Sequence, residues 1–154
     1  MKTSEFIRRA ATGQLSKNPR SGEQRCSSVV WDGTHVYSYG RHYPLLIAIP
    51  AKDGRMIRVC NDAGYSSTTS RHISYARRFA DYSVEIPRTF AASKALTPEG
   101  IAEAARDEIK ERTAYIVETL PKITANPRYT GMRHRYDEAC KRVEQLNALI
   151  AAIA

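Results

Sequence analysis

The sequence lacks any long hydrophobic run, and no apolar segment approaches the roughly 20 residues that a membrane-spanning helix needs. Its opening stretch, MKTSEFIRRAATGQ, has no continuous apolar segment, so a secretory leader is not indicated. Cysteine is scarce as well: Cys26, Cys60 and Cys140 lie far apart, and none belongs to a CxxC pair. We therefore expect no disulfide framework, no zinc site and no cofactor.

Common catalytic motifs are also missing. The chain contains neither HExxH nor GxxxxGK[ST], and carboxylates are too sparse between residues 27 and 90 for a two-metal nuclease. A phosphodiesterase using His42 and His72 is the remaining catalytic alternative, because paired histidines can perform acid–base chemistry on a phosphodiester. The His-x-Ser/Thr pattern of some phosphoesterases occurs at His72, whereas Pro44 breaks it after His42. We expect a protein without enzymatic activity.

Positive charge is concentrated in the first two thirds of the chain. The formal net charge is +8. Residues 1–95 hold 15 Lys/Arg against 7 Asp/Glu, whereas residues 96–154 hold nine of each. A polyanion such as nucleic acid is the natural partner of such a segment, because cations that neutralise phosphates release counterions. A modest basic excess that only maintains solubility is the alternative reading.

Two Asp-Gly pairs predict β-hairpins in the N-terminal part. Asp32-Gly33 and Asp53-Gly54 each lie between two apolar runs. Glycine supplies the positive φ that a two-residue type I′ turn requires. The expected strands lie near 27–31, 34–39, 44–50 and 55–60. The third contains the continuous apolar run LLIAI and should be central. The segment SVEI at 83–86 is a candidate for a fifth strand.

Helical patterns surround these strands. A short helix is expected over 2–12, followed by a mobile basic linker at 13–25, and another helix follows the hydroxyl-rich turn at 65–70. Near the end, Thr97-Pro98 opens a long amphipathic helix that Pro121 ends or kinks, and a second helix covers about 130–152. The helices have opposite net charge, which favours an antiparallel hairpin that packs on the sheet or mediates self-association.

We therefore predict an α+β fold. A four- to five-stranded, mainly antiparallel sheet carries one helix and is followed by a C-terminal antiparallel helical hairpin. The predicted organisation is an N-terminal helix and basic linker at 1–25, an α+β module at 26–95 and the hairpin at 96–154.

The candidate contact residues cluster at two similar stretches, VYSYGRHY and GYSSTTSRHISYARRF. A helix N-terminus rich in hydroxyls and followed by an arginine can bind phosphate, although such serines and threonines often only cap the helix. Alternate tyrosines on a strand can stack nucleic-acid bases, or they can pack beneath a helix. The phosphate-contact candidates are Arg41, His42, Ser70, Arg71, His72, Arg77 and Arg78, and the stacking candidates are Tyr37 and Tyr39.

The same two stretches carry a resemblance. YSYGxHxPL from Tyr37 to Leu45, followed by GYSxTTSRH from Gly64 to His72, resembles a poorly characterised family of small proteins encoded by phages and other mobile elements. The similarity spans residues 28–75, about a third of the chain, and excludes the hairpin. It implies a viral or mobile-element origin and the cytoplasm of a bacterial host. It supplies no catalytic residues.

Together these features predict a non-enzymatic phage or mobile-element protein that binds nucleic acid, or a nucleoprotein complex, through its basic N-terminal module. The alternative is a host-directed, anti-CRISPR-like inhibitor of bacterial defence that acts by protein–protein contact. Homo-oligomer formation through the hairpin is a further expectation.

Overall fold

The computed structural model describes all residues from 1 to 154 and has α+β architecture, which confirms the predicted fold class. The six strands are β1 (Gln24–Cys26), β2 (Val29–Trp31), β3 (Val36–Ser38), β4 (Tyr43–Pro50), β5 (Met56–Asn61) and β6 (Tyr82–Val84). The five α-helices are α1 (Thr3–Ala11), α2 (Ser67–Ala76), α3 (Ala92–Ala95), α4 (Pro98–Ala125) and α5 (Thr130–Ile153). A 3₁₀ turn at Arg77–Phe79 continues directly from α2.

The strands form one sheet in chain order from β1 to β6. The first four pairings are antiparallel, whereas β5 and β6 are parallel because α2 carries the chain back across the sheet. Strand β4 contains the LLIAI run and is the longest, with Leu45, Leu46 and Ile47 fully or almost fully buried. The expectation that this run forms an interior strand is confirmed.

Helices cover the sheet through two hydrophobic clusters. In the first, Phe6 and Ile7 of α1 and Ile73 of α2 pack with residues of β2, β3 and β4. The second joins the hairpin helices to β4, β5 and β6; its members from the helices include Ile101 and Leu146. The hairpin therefore packs on the sheet, which is one of the two arrangements predicted for it.

Both Asp-Gly pairs lie in turns, but neither turn has the predicted two-residue form. Trp31 pairs with Val36, so four residues connect β2 to β3, and the Asp32 carboxylate accepts the N–H groups of Thr34 and His35. The second hairpin has a three-residue loop that ends in Gly54 at φ +84°. Such a loop needs a left-handed residue at its end, which glycine adopts at little cost.

Two other boundaries differ from the sequence-based expectation. Part of the predicted linker forms edge strand β1, because Gln24 and Arg25 pair with Trp31 and Val30. Helix α4 continues through Pro121 to Ala125. A proline inside a helix removes one hydrogen bond to the carbonyl four residues earlier, here that of Val117. Val117 lies on an exposed side of the helix, where water can solvate that carbonyl group.

A buried ion-pair network joins the hairpin to the sheet. Nε and Nη2 of Arg142 donate to the Glu108 carboxylate at 2.7 and 3.2 Å, and Nη1 lies 3.1 Å from Asp62 Oδ2. Glu108 also accepts the backbone N–H of Glu85, just beyond β6, at 2.9 Å. The Glu108 side chain is only 2% exposed, so its charge depends on these partners for stabilisation.

The hairpin also leaves apolar side chains in contact with water. Val117 and Leu120 of α4 are exposed, although each is large and hydrophobic. Exposed residues of this kind are ordinary when scattered singly and significant when they form a patch. Self-association through the hairpin stays a prediction.

We expect Arg142→Met to lower the free energy of unfolding by about 3 to 5 kcal/mol, because it leaves the buried Glu108 carboxylate without its main cation. Urea denaturation followed by circular dichroism measures the change. Arg112→Met is the matched control. Arg112 is half-exposed, bonds to the half-exposed Glu85 at 3.1 Å and lies farther from Glu108, at 3.5 Å, so its loss should cost less than about 1 kcal/mol. Equal destabilisation by the two substitutions would contradict the assignment of Arg142 as the main partner.

Candidate nucleic-acid interface

The hydroxyl-rich turn begins helix α2, and the N-cap of the helix is Ser66. Ser66 has extended backbone, and its Oγ accepts the N–H of Thr69 at 3.1 Å. The Ser70 hydroxyl donates to the Ser66 carbonyl at 2.9 Å. Ser66, Thr69 and Ser70 thus bond within the first turn of the helix, whereas Thr68 faces outward and is exposed.

His72 is buried beneath this turn and hydrogen-bonded to the sheet. Its Nδ1 lies 2.8 Å from Ser38 Oγ of β3, and the whole residue is only 5% exposed. The Ser38 hydroxyl is completely buried and has no other hydrogen-bond partner, so its proton must go to Nδ1. The neutral imidazole therefore carries its own proton on Nε2, which has no partner within the protein.

His72 forms part of the wall of a polar cleft of about 330 Å³ between the starts of α1 and α2. We call this the Arg71 cleft. It is lined by Lys2, Thr3, Ser4, Ser27, Ser28, Thr68, Arg71, His72 and Tyr75.

The chemistry of the Arg71 cleft is that of an anion site. Lys2 and Arg71 form no ion pair, and no carboxylate lines the cleft. Helix α1 has no side-chain cap, so the N–H groups of its first turn are open at the same place. His72 Nε2–H adds a donor that is fixed by its bond to Ser38. Cations, hydroxyls and free N–H groups together suit phosphate oxygens.

The other predicted cations lie outside this cleft. Arg41 is exposed but bound to Glu23, and Arg77 lies 3.1 Å from Asp62, so neighbouring carboxylates already neutralise both charges. Arg78 is exposed without an ion pair. His42 is exposed in the connection between β3 and β4 and is not a wall residue of the Arg71 cleft. The structure therefore does not bring His42 and His72 together in that cleft.

The predicted tyrosine pair does not share one sheet face. Tyr37 is buried, and its hydroxyl donates to Asp32 Oδ2 at 2.8 Å, so its ring is not free to stack a base. Tyr39 lies beyond the end of β3 and has φ +53°. Its side chain therefore does not follow the alternation of side chains along the strand. The residue is 37% exposed, and its hydroxyl lies 3.4 Å from Ser66 Oγ.

Sequence reasoning missed the contributions of α1 and of the β1–β2 turn to the cleft. Lys2, Ser27 and Ser28 lie more than 40 residues from Arg71 in the chain. No local pattern marks them as neighbours, because α1 reaches α2 only by packing in the same hydrophobic cluster.

A larger groove of about 890 Å³ lies between β6 and the hairpin. Five cations line it, among them Arg112 and Arg135, but so do four carboxylates: Asp62, Asp81, Glu85 and Glu138. Opposite charges there are interleaved, and Arg142 and Arg77 are bound to Asp62. A polyanion would meet repulsion along this groove, so the smaller Arg71 cleft is the better candidate despite its size.

Comparisons with family models, with curated proteins and with solved structures found no match to this chain. Within the structure, no group of three or more His, Cys, Asp and Glu side chains is arranged to hold a metal ion. None of the helices combines the length and apolar character needed to cross a membrane. The geometry of the Arg71 cleft therefore carries the functional argument.

We expect the burial of two histidines to make the fold sensitive to mild acid. Burial lowers the pKa of His72 below the usual value of about 6.5, and that of His35 likewise. The unfolded chain therefore binds more protons than the folded one in this range, and the free energy of unfolding should fall as pH drops from about 7.5 to about 5.5. Urea titrations at several pH values measure this slope.

His72→Gln removes one titrating group and should reduce that slope, whatever its effect on stability at neutral pH. Asn147→Gln, at an exposed position of α5 that carries no titratable group, should keep the wild-type slope. A wild-type slope in His72→Gln would show that His72 does not contribute to the acid sensitivity.

Proposed function

We propose that the protein binds nucleic acid and places a backbone phosphate in the Arg71 cleft. The observation that carries this proposal is the wall of the cleft itself, which combines Lys2, Arg71 and His72 Nε2–H with hydroxyl groups and contains no carboxylate. In the setting that the resemblance to phage and mobile-element proteins implies, the ligand would be nucleic acid, free or in a nucleoprotein complex, inside a bacterial cell.

The distribution of ion pairs supports the same surface. Seven of the 15 basic residues before position 96 contact carboxylates; these are Arg8, Arg9, Arg25, Arg41, Arg55, Arg77 and Lys94. Lys2, Arg71 and Arg78 are among the cations that remain unpaired. Unpaired cations keep their full attraction for phosphate and need not break an existing contact when they bind it.

We expect Lys2→Ala/Arg71→Ala to weaken binding to labelled DNA and RNA in fluorescence-anisotropy titrations over a salt series. Loss of two phosphate contacts should reduce the slope of log affinity against log salt by about 1.4 for a single strand, or about 1.8 for a duplex. Arg106→Ala/Arg133→Ala removes the same charge from exposed, unpaired positions of the hairpin and is the matched control.

The outcomes separate the proposal from its alternatives. Equal loss in the two double variants would mean that only net charge matters and that the cleft is not a site. If the protein does not bind DNA or RNA even at low salt, the proposal that it binds nucleic acid is wrong. A stable complex with a host protein that survives nuclease treatment would then favour the inhibitor hypothesis.

A further inference from the structure

An aromatic stack lies beside the Arg71 cleft. The ring centroid of Tyr65 is 5.9 Å from that of Tyr43 and 6.0 Å from that of Tyr39. The guanidinium carbon of Arg88 lies over the Tyr65 ring, 4.6 Å from its centroid. We call Tyr39, Tyr65 and Arg88 the tyrosine platform.

Tyr43 is the structural base of this stack. It is buried, and its hydroxyl contacts the carbonyl oxygens of Asn61 and Ala63 at 3.0 and 2.6 Å. Asn61 is buried as well and bonds to the Pro44 carbonyl and to the N–H groups of Ala63 and Ile86. These bonds fix the ring of Tyr43, and thereby the surface against which Tyr65 packs.

Tyr65, in contrast, makes no hydrogen bond with its hydroxyl and is 49% exposed. Because half of the Tyr65 side chain stays exposed, its ring adds little to the stability of the fold that a smaller apolar side chain would not also add. Arg88 is exposed and has no carboxylate partner, and its Nη2 donates to the Gly64 carbonyl at 2.7 Å. The guanidinium group is thus held over the ring while its outer side stays open.

The platform is continuous with the cleft. The Tyr39 hydroxyl lies beside Ser66, and hydrogen bonding to the hydroxyls of Ser66 and Thr68 lowers the pKa of this phenol. Thr68 also lines the Arg71 cleft. One surface therefore runs from the phosphate donors at Arg71 and His72, past Thr68, to the rings of Tyr39 and Tyr65 and the guanidinium of Arg88.

We propose that this surface binds single-stranded nucleic acid, with a phosphate in the Arg71 cleft and a neighbouring unpaired base stacked on the tyrosine platform. The inference rests on the proposed function and adds the class of ligand. Bases in a duplex are stacked on one another and cannot offer their faces to a protein, whereas unpaired bases stack on aromatic rings and on arginine planes. Phosphate contacts alone would accept single strands and duplexes alike.

The test compares a labelled oligothymidine with an abasic strand of the same length and phosphate content, by fluorescence anisotropy at one salt concentration. The wild type should bind the strand with bases at least about fivefold more tightly. Tyr65→Leu should remove most of this difference, and Tyr65→Phe should keep it, because the Tyr65 hydroxyl has no partner. Tyr129→Leu alters a tyrosine of similar exposure, 51%, on the distant hairpin and should bind like the wild type.

The results distinguish failure of this inference from failure of the proposed function. If both strands bind equally, with the salt dependence expected of phosphate contacts and with no effect of Tyr65→Leu, the cleft binds phosphate and the platform is only structural. Tighter binding to a duplex than to the single strand would also overturn the inference. If neither strand binds at low salt, the proposed function itself is wrong.

Discussion

The Arg142 guanidinium contacts two carboxylates, one on the hairpin and one on the sheet, and so joins these two parts of the molecule. It lies on α5, binds Glu108 of α4 and reaches Asp62 at the end of β5. Glu108 in turn holds the backbone of Glu85 after β6. Three segments distant in sequence therefore meet at one cation, and a parallel edge strand of only three residues keeps its place between β5 and the hairpin. The fold depends on this arrangement because Glu108 is buried, and an unpaired carboxylate there would lower the free energy of unfolding.

Ion pairing also separates two arginines around α2 by role. Arg77, like Arg142 of the hairpin, binds a carboxylate and serves the fold. Arg71, at the opposite end of α2 from Arg77, has no such partner. Helix α2 thus carries a neutralised arginine at its C-terminal end and an unneutralised one near its N-terminus, where the helix dipole also favours an anion. The candidate site lies where the fold has left positive charge uncompensated.

Much of the architecture could be predicted because its signals are local. Apolar runs and the two Asp-Gly pairs located the hairpins, and Thr97 with Pro98 located the start of α4, where Thr97 Oγ1 accepts the Gly100 N–H as expected. The candidate site could be predicted only in part. Arg71 and His72 belong to it, but Tyr37 is buried in a strand that is covered along its whole length, and Lys2 reaches the cleft only through tertiary packing. Similarly, no local pattern distinguishes Arg142 from its exposed neighbours.

The bond between Ser38 and His72 has a consequence for the polarity of the cleft. Ser38 is not part of the cleft wall, yet it determines which imidazole nitrogen bears the proton and therefore that the histidine offers a donor. A carboxylate at position 38 could only accept, so Nδ1–H would donate a hydrogen bond to it, and the Nε2 of a neutral imidazole would be left with a lone pair suited to hydrogen-bond donors or to cations. One buried substitution in the sheet would thus exchange the donor that the neutral imidazole offers for an acceptor, with no change on the surface of the protein.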